Sequence, residues 1–192
     1  EISKRTVTLT SADGEKVYDG KALTNSTVTV GGDGFATGEG ATYDVTGTQT
    51  NVGSSANAFT YTLNDGTKAD NYNITTANGT LTVTNRDAQY EITVVANSAT
   101  AMYDGQQHSA TGFARLEFTV DGNTYTVSGL TTEDPTEINA GSYTNNITGT
   151  AVVKDADGND VTSQFAVNTT NGKLEISKRT VTLTSADGEK VY

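Results

Sequence analysis

The chain has no cysteine and no tryptophan, and it carries one proline, one methionine and one histidine in 192 residues. Without cysteine there are no disulfides, no thiolate nucleophiles and no sulfur metal sites, although no compartment follows from that. The lone His108 has no second histidine for a metal and no nucleophile elbow to serve, so it reads as a loop residue. The glycine run Gly31-Gly32-Asp33-Gly34 lacks the Gly-Lys-Ser/Thr and helix of a phosphate loop. No apolar run approaches the roughly 20 residues that a membrane helix needs. Positive charge is scarce too: 12 Lys and Arg against 23 Asp and Glu leave a net charge of −11. That balance argues against a nucleic-acid partner, whose backbone asks for clustered cations. It favours solubility and leaves room for divalent cations. No signal peptide or sorting tail is visible, and the chain reads as a length cut from a longer protein.

What is present is threonine in alternation. Segments such as TVTLT, TVTV, TLTVT and YEITVV place valine, leucine and isoleucine at every second position. Period two is the signature of strands with one buried and one wet face. Gly, Asn and Asp clusters separate them, and no window of helical period stands out. The expected fold is all-β: two tandem Ig-like β-sandwich modules forming an elongated rod. A β-grasp, in which a sheet wraps one helix, is the alternative, although GGDGFATGEG and LTTEDPTEI carry many helix breakers. With a hydrophobic fraction of 34%, the cores should be thin.

Residues 1–18, EISKRTVTLTSADGEKVY, reappear unchanged as residues 175–192. Inside this long period lies a weaker one. Tyr18-Asp19-Gly20 returns as Tyr103-Asp104-Gly105, and Asn51-Val52-Gly53 as Asn139-Ala140-Gly141. NITTANGTLTVTNR matches AVNTTNGKLEISKR. Asn78-Gly79 and Asn171-Gly172 then suit tight hairpin turns before the last strand of each module. The organisation expected is the end of a preceding module's last strand (1–3), module A (4–86), module B (87–177) and the first strand of a further module A (178–192). Such fixed-period self-similarity marks an array. The joints contain neither glycine nor proline and read as short and stiff.

The Tyr-Asp-Gly motif, the Asn-x-Gly and the closing NGTLTVT or NGKLEIS together resemble the YDG and MBG-type (mostly β, glycine-rich) repeat domains of large bacterial surface adhesins. The resemblance covers nearly the whole chain, with module B departing at GNTYTVSGLTTEDPTEI. It implies a non-catalytic stalk on a bacterial, Gram-positive-like cell surface, held to the wall by regions outside these residues. It also admits modules that bind a host glycan or protein through their loops.

Tyr18, Asp19, Gly20, Tyr103, Asp104 and Gly105 are read as structural turns: aspartate bonds the backbone two residues on, and glycine supplies positive φ. Asp155, Asp157, Asn159 and Asp160 flank Gly158 like half of a calcium loop, with an Asp-Gly hairpin turn as the plainer reading. Asp33 and Glu39 are weaker cation candidates. Lys4, Asn85 and Glu1 are the candidates for a Lys–Asn cross-link. Five Asn-x-Ser/Thr sequons begin at Asn25, Asn73, Asn78, Asn146 and Asn168. Neighbouring repeats are the expected partners. Residues 178–192 offer unpaired backbone edges for a strand-swapped contact.

Overall fold

The structure, a computed structural model, describes residues 2–190. Glu1 and residues 191–192, which fall in the expected 1–3 and 178–192 segments, lie outside them. Two compact units emerge from the contacts: Glu1–Gln89 with Asp121–Asn123, and Tyr90–Val120 with Thr124–Tyr192. Both are β-structure. Among the described residues the only helical elements are two 3-10 turns, Ala69–Asn71 and Thr162–Gln164. The helix that a β-grasp requires is not among them. GGDGFATGEG forms the end of a strand and a loop, and LTTEDPTEI is largely extended.

In the first unit, β1 (Arg5–Ser11) turns Val7, Leu9 and Ser11 inward and leaves Thr6 and Thr8 exposed, as its alternation dictates. It lies between β3 (Val28–Gly32), antiparallel, and β7 (Tyr72–Ala77), parallel. β2 (Gly14–Val17) continues from β1 into a second sheet, parallel to β8 (Gly79–Thr84), which pairs antiparallel with β5 (Gly53–Asn57). β4 (Ala41–Val45) and β6 (Phe59–Leu63) form an antiparallel ribbon. Three segments, 5–17, 53–63 and 72–84, therefore bend and pass from one sheet to another, which is how strands make corners in packed sheets. The core holds Val7, Leu9 and Tyr72, packed by Val28, Phe35, Tyr43, Phe59 and Ile74. Phe35 meets Tyr72 edge-on at 5.2 Å between ring centroids. Each fully buried Val or Leu stabilises the unit by about 1.5–3 kcal/mol before chain entropy is set against it.

The second unit repeats the frame. β9 (Tyr90–Val95) runs parallel to β17 (Phe165–Thr170), and β10 (Ala99–Met102) parallel to β18 (Gly172–Ser177). β15 (Gly141–Asn145) is antiparallel to β18. β12 (Glu117–Val120), β13 (Asn123–Thr132) and β16 (Ile147–Lys154) form a further sheet, and β11 (His108–Ser109) pairs with β14 (Thr136–Glu137). Leu174, Ile176 and Ala110 make one cluster. Phe165 packs against Tyr125 at 4.7 Å and Tyr90 at 5.5 Å.

The reading of Asn-Gly as a hairpin is corrected here. Arg5 stands opposite Tyr72 and Val17 opposite Thr84, so the register of the parallel pair carries through the corner unbroken. In the second unit, Tyr90 opposite Phe165 and Met102 opposite Ser177 do the same. Segments 72–84 and 165–177 therefore run on in one direction through Asn78 and Asn171. Glycine follows each asparagine for close approach, not positive φ. A Cβ on Gly79 would meet the carbonyl oxygens of Ser11 and Ala12 at 2.5 Å, and one on Gly172 the Ala96 oxygen at 2.7 Å.

Residues 179–190 repeat the sequence of residues 5–16, which hold β1 and all of β2 but its last residue, yet they form no strand and are exposed. Val181 and Leu183 are 71% and 92% accessible, whereas Val7 and Leu9 are 0%. One sequence takes two structures because strand formation depends on cross-strand neighbours more than on intrinsic preference.

Candidate functional site

The corner is the most closely specified polar site in each unit. Asn57 and Asn145, both fully buried, occupy equivalent places at the ends of β5 and β15. Asn57 Nδ2 donates to the carbonyls of Ala12 and Asn25, each at 2.8 Å. Asn145 Nδ2 donates to the matching carbonyl, that of Asn97, at 3.1 Å. Ser11 Oγ donates to Asn57 O at 2.5 Å and accepts from Gly79 N at 2.9 Å. Asp13 Oδ1 then accepts from Thr80 N at 2.7 Å, and Ser98 Oγ does the same for Lys173 N at 3.0 Å. A bend interrupts the ladder and strands backbone groups, and these side chains take them up. Asn145 Oδ1 accepts from Asp134 N at 3.0 Å, but Asn57 Oδ1 is buried with no hydrogen-bond partner among the described residues. These residues were missed in the sequence. Their recurrence in SANAF and TNNIT was the available signal.

Tyr-Asp-Gly builds the same turn twice. Tyr18 N donates to Thr84 O and Tyr103 N to Ser177 O, both at 2.9 Å, closing β2 on β8 and β10 on β18. Asp19 Oδ1 accepts from Lys21 N at 2.9 Å, and Asp104 Oδ1 from Gln106 N at 2.8 Å. Gly20 and Gly105 follow at φ 73° and 79°. Burial pushes the Asp19 carboxyl up, but the hydrogen bonds from Lys16 and Lys21 outweigh it and hold it below its ordinary value. The Gln106 amide and then His108 do the same for Asp104. His108 Nε2 lies 3.0 Å from Asp104 Oδ1, which makes it a brace of this turn. The two tyrosines differ: Tyr18 is buried and Tyr103 is 40% exposed.

The acidic loop does not gather ligands. Asp155 Oδ1 accepts from Asp157 N at 3.0 Å and Asn159 N at 2.8 Å, and Asn159 Nδ2 reaches both oxygens. Asp160 Oδ1 accepts from Thr162 N at 2.9 Å. Among the described residues no group of three or more His, Asp or Glu side chains is placed to hold a metal. Of Asp155, Asp157, Asn159 and Asp160, the carboxylates of Asp155 and Asp160 accept the loop's own N–H groups, as the plainer reading of a hairpin turn expects. Asp33 likewise accepts from Thr6 N at 2.9 Å and Thr6 Oγ1 at 2.8 Å.

A cleft of about 270 Å³ opens in the first unit beside the start of β1, where Lys4, Arg5, Glu39 and Tyr72 are among its walls. The Tyr72 hydroxyl donates to Glu39 and accepts from Ala36 N, and the bond to Glu39 pushes the phenol up. Lys4 lines this cleft and Asn85 is not among its walls, while Glu1 lies outside the described residues. In the second unit Lys178 and Arg179 line a cleft of about 300 Å³ with Tyr103, Asn139 and Ala140. Of the sequons, Asn73, Asn78 and Asn168 are exposed. Asn25 and Asn146 engage Asp13 O and the Glu133 carboxylate.

Set against family models, curated proteins and solved structures, the chain matches none.

Proposed function

We infer that the chain is a non-catalytic repeat segment of a bacterial cell-surface adhesin, a stiff spacer that projects a binding region from the wall. Its units act as Ig-like sandwich modules with parallel closing pairs, and neighbouring repeats are their partners. One observation carries the reading. In each unit the first and last strands are hydrogen-bonded parallel neighbours: β1–β2 beside β7–β8, and β9–β10 beside β17–β18. Tension along the chain pulls the start of the first strand and the end of the last in opposite directions. Parallel neighbours are then loaded in shear, so many hydrogen bonds must break together instead of unzipping singly. That is the arrangement a tethered spacer needs. Only residues 85–89 separate β8 from β9, with no glycine or proline, and Arg86 braces them by donating to Ala88 O and Tyr18 O, each at 3.1 Å.

Single-molecule pulling tests this. Each unit stretched through its first and last strands should yield at several times the force needed to open it across the β4–β6 ribbon, where hydrogen bonds are loaded one by one. Equal forces, or a compact or freely bending particle in small-angle scattering, would sink the spacer reading. The alternative, modules that bind host glycan or protein through their loops, is favoured by the cleft of Arg5, Glu39 and Tyr72. Measurable affinity of the chain for mucin or matrix glycans would select it.

A further inference from the structure

We propose that the 192-residue chain assembles head-to-tail by strand exchange: residues 179–190 of one copy take the place of residues 5–16 in the first unit of a second copy. The sequences of the two segments are identical. Every side chain that the slot accepts from residues 5–16 is therefore present in residues 179–190, in the same order. Val181 and Leu183, now 71% and 92% exposed, match Val7 and Leu9, which the slot buries completely. Ser185 would meet Gly79 N as Ser11 does, and Asp187 would meet Thr80 N as Asp13 does. The slot's ladder bonds run to the backbone of β3, β7 and β8, and its side-chain bonds come from Asp33 and Asn57, groups that read position and not chain of origin.

Exchange by itself trades like contacts for like, so a bias toward assembly must come from elsewhere. The surfaces brought together around the Lys-Arg dipeptide supply it. Lys4 and Arg5 line the first unit's cleft with Glu39 and Tyr72, and Lys178 and Arg179 line the second unit's cleft with Tyr103 and Asn139. In the exchanged pair one Lys-Arg dipeptide belongs to both clefts at once. The Tyr103 face of one copy then meets the Tyr72 end of the next. Met102, Tyr103 and Ile138, at 58%, 40% and 46% exposure, are the apolar side chains available there. Such a contact joins different surfaces, so it propagates into a ladder of oligomers unless the rotation closes a ring. The net charge of −11 opposes it and salt relieves that opposition.

The absence of cysteine makes the test direct. Thr8 and Thr75 face each other across the parallel pair, with their hydroxyls 3.3 Å apart. Thr182 is the copy of Thr8, so Thr75→Cys with Thr182→Cys places two thiols within disulfide reach only when residues 179–190 occupy the slot. Oxidised at high protein concentration in 0.15 M salt, this chain should give an intermolecular ladder at least tenfold above a Thr60→Cys, Thr182→Cys control. Asn73→Cys with Thr180→Cys, from the register Thr6 opposite Asn73, repeats the test should the first pair misfold. Yield equal to the control, or a disulfide closed within one chain, would overturn the proposal. Either result leaves the spacer reading standing, since a monomer can be stiff.

Discussion

Leu9 and Leu183 are the same residue in the same eighteen-residue sequence, one 0% exposed and the other 92%. Replacing each by alanine measures what context adds to identical chemistry. Leu9 faces a core of Val7, Tyr72 and their neighbours. Losing three buried carbons at about 0.8 kcal/mol each costs about 2.4 kcal/mol in transfer free energy. The cavity term raises Leu9→Ala toward about 5 kcal/mol if the corner cannot collapse. At roughly 4–8 °C per kcal/mol for a domain of this size, the transfer part alone lowers the first unit's midpoint by roughly 10–20 °C. Leu183→Ala should stay within about 0.5 kcal/mol, a shift below about 4 °C. Calorimetry at low protein concentration reads both, and hydrogen exchange of the β7 amides assigns the loss to the first unit. Equal shifts for the two substitutions would refute the claim that pairing, not sequence, makes this strand.

Gly79→Ala and Gly172→Ala should each cost about 1–3 kcal/mol or more, because the new methyl meets backbone oxygens that cannot swing aside. Gly188→Ala, with nothing within 4 Å, should leave the melting curve unchanged; a comparable loss there would show that the corner is not the reason. Acid should act through the turn aspartates. Amide donors, with hydroxyls at Asp33, Asp134 and Asp160 and the His108 ring at Asp104, hold these four carboxyls below the ordinary 3.8 in the folded state. A lowered folded value means that the ionised form favours folding, so this stability is complete above 3.8 and lost as pH falls through the lowered values. Melting midpoints should be flat from pH 7 to about 5 and drop below about 4. A decline that begins between pH 7 and 5 would point to other groups.

Alternation made β1, β8 and β18 legible, since RTVTLTS, GTLTVT and GKLEIS bury every second residue as written. The two Tyr-Asp-Gly turns were legible for a local reason: an aspartate bonding two residues on needs nothing distant. Parallel pairing of first and last strands was not, because it joins residues far apart in sequence and leaves no local mark. Asn-Gly misled because a hairpin and a close crossing both ask for glycine, one for its φ and the other for its missing Cβ. The acidic loop supports two readings for a similar reason. Carboxylates at alternate positions suit a cation, and they suit the loop's own amides equally well. The buried asparagines were hidden by type, since asparagine in an Asn- and Thr-rich chain carries little signal until the two halves are compared.

The strand order ties strength to vulnerability. A module whose first strand is hydrogen-bonded beside its last resists tension along the chain because those two strands must shear past each other. The same order leaves the slot for β1–β2 lined by strands that come later in the sequence, β3, β7 and β8. A slot so built does not distinguish its own first strand from another with the same sequence. Identity between distant repeats therefore exposes such a chain to exchange, whereas divergence between adjacent ones protects it. The two units show that divergence: Arg5 in the first is Tyr90 in the second, where it packs against Phe165, and Ser11 is Ala96. Segment 90–102 is thus a poor occupant for the slot of segment 5–17. Divergence between the two units keeps segment 90–102 out of that slot, and it leaves the exact copy, residues 179–190, as the segment that fits.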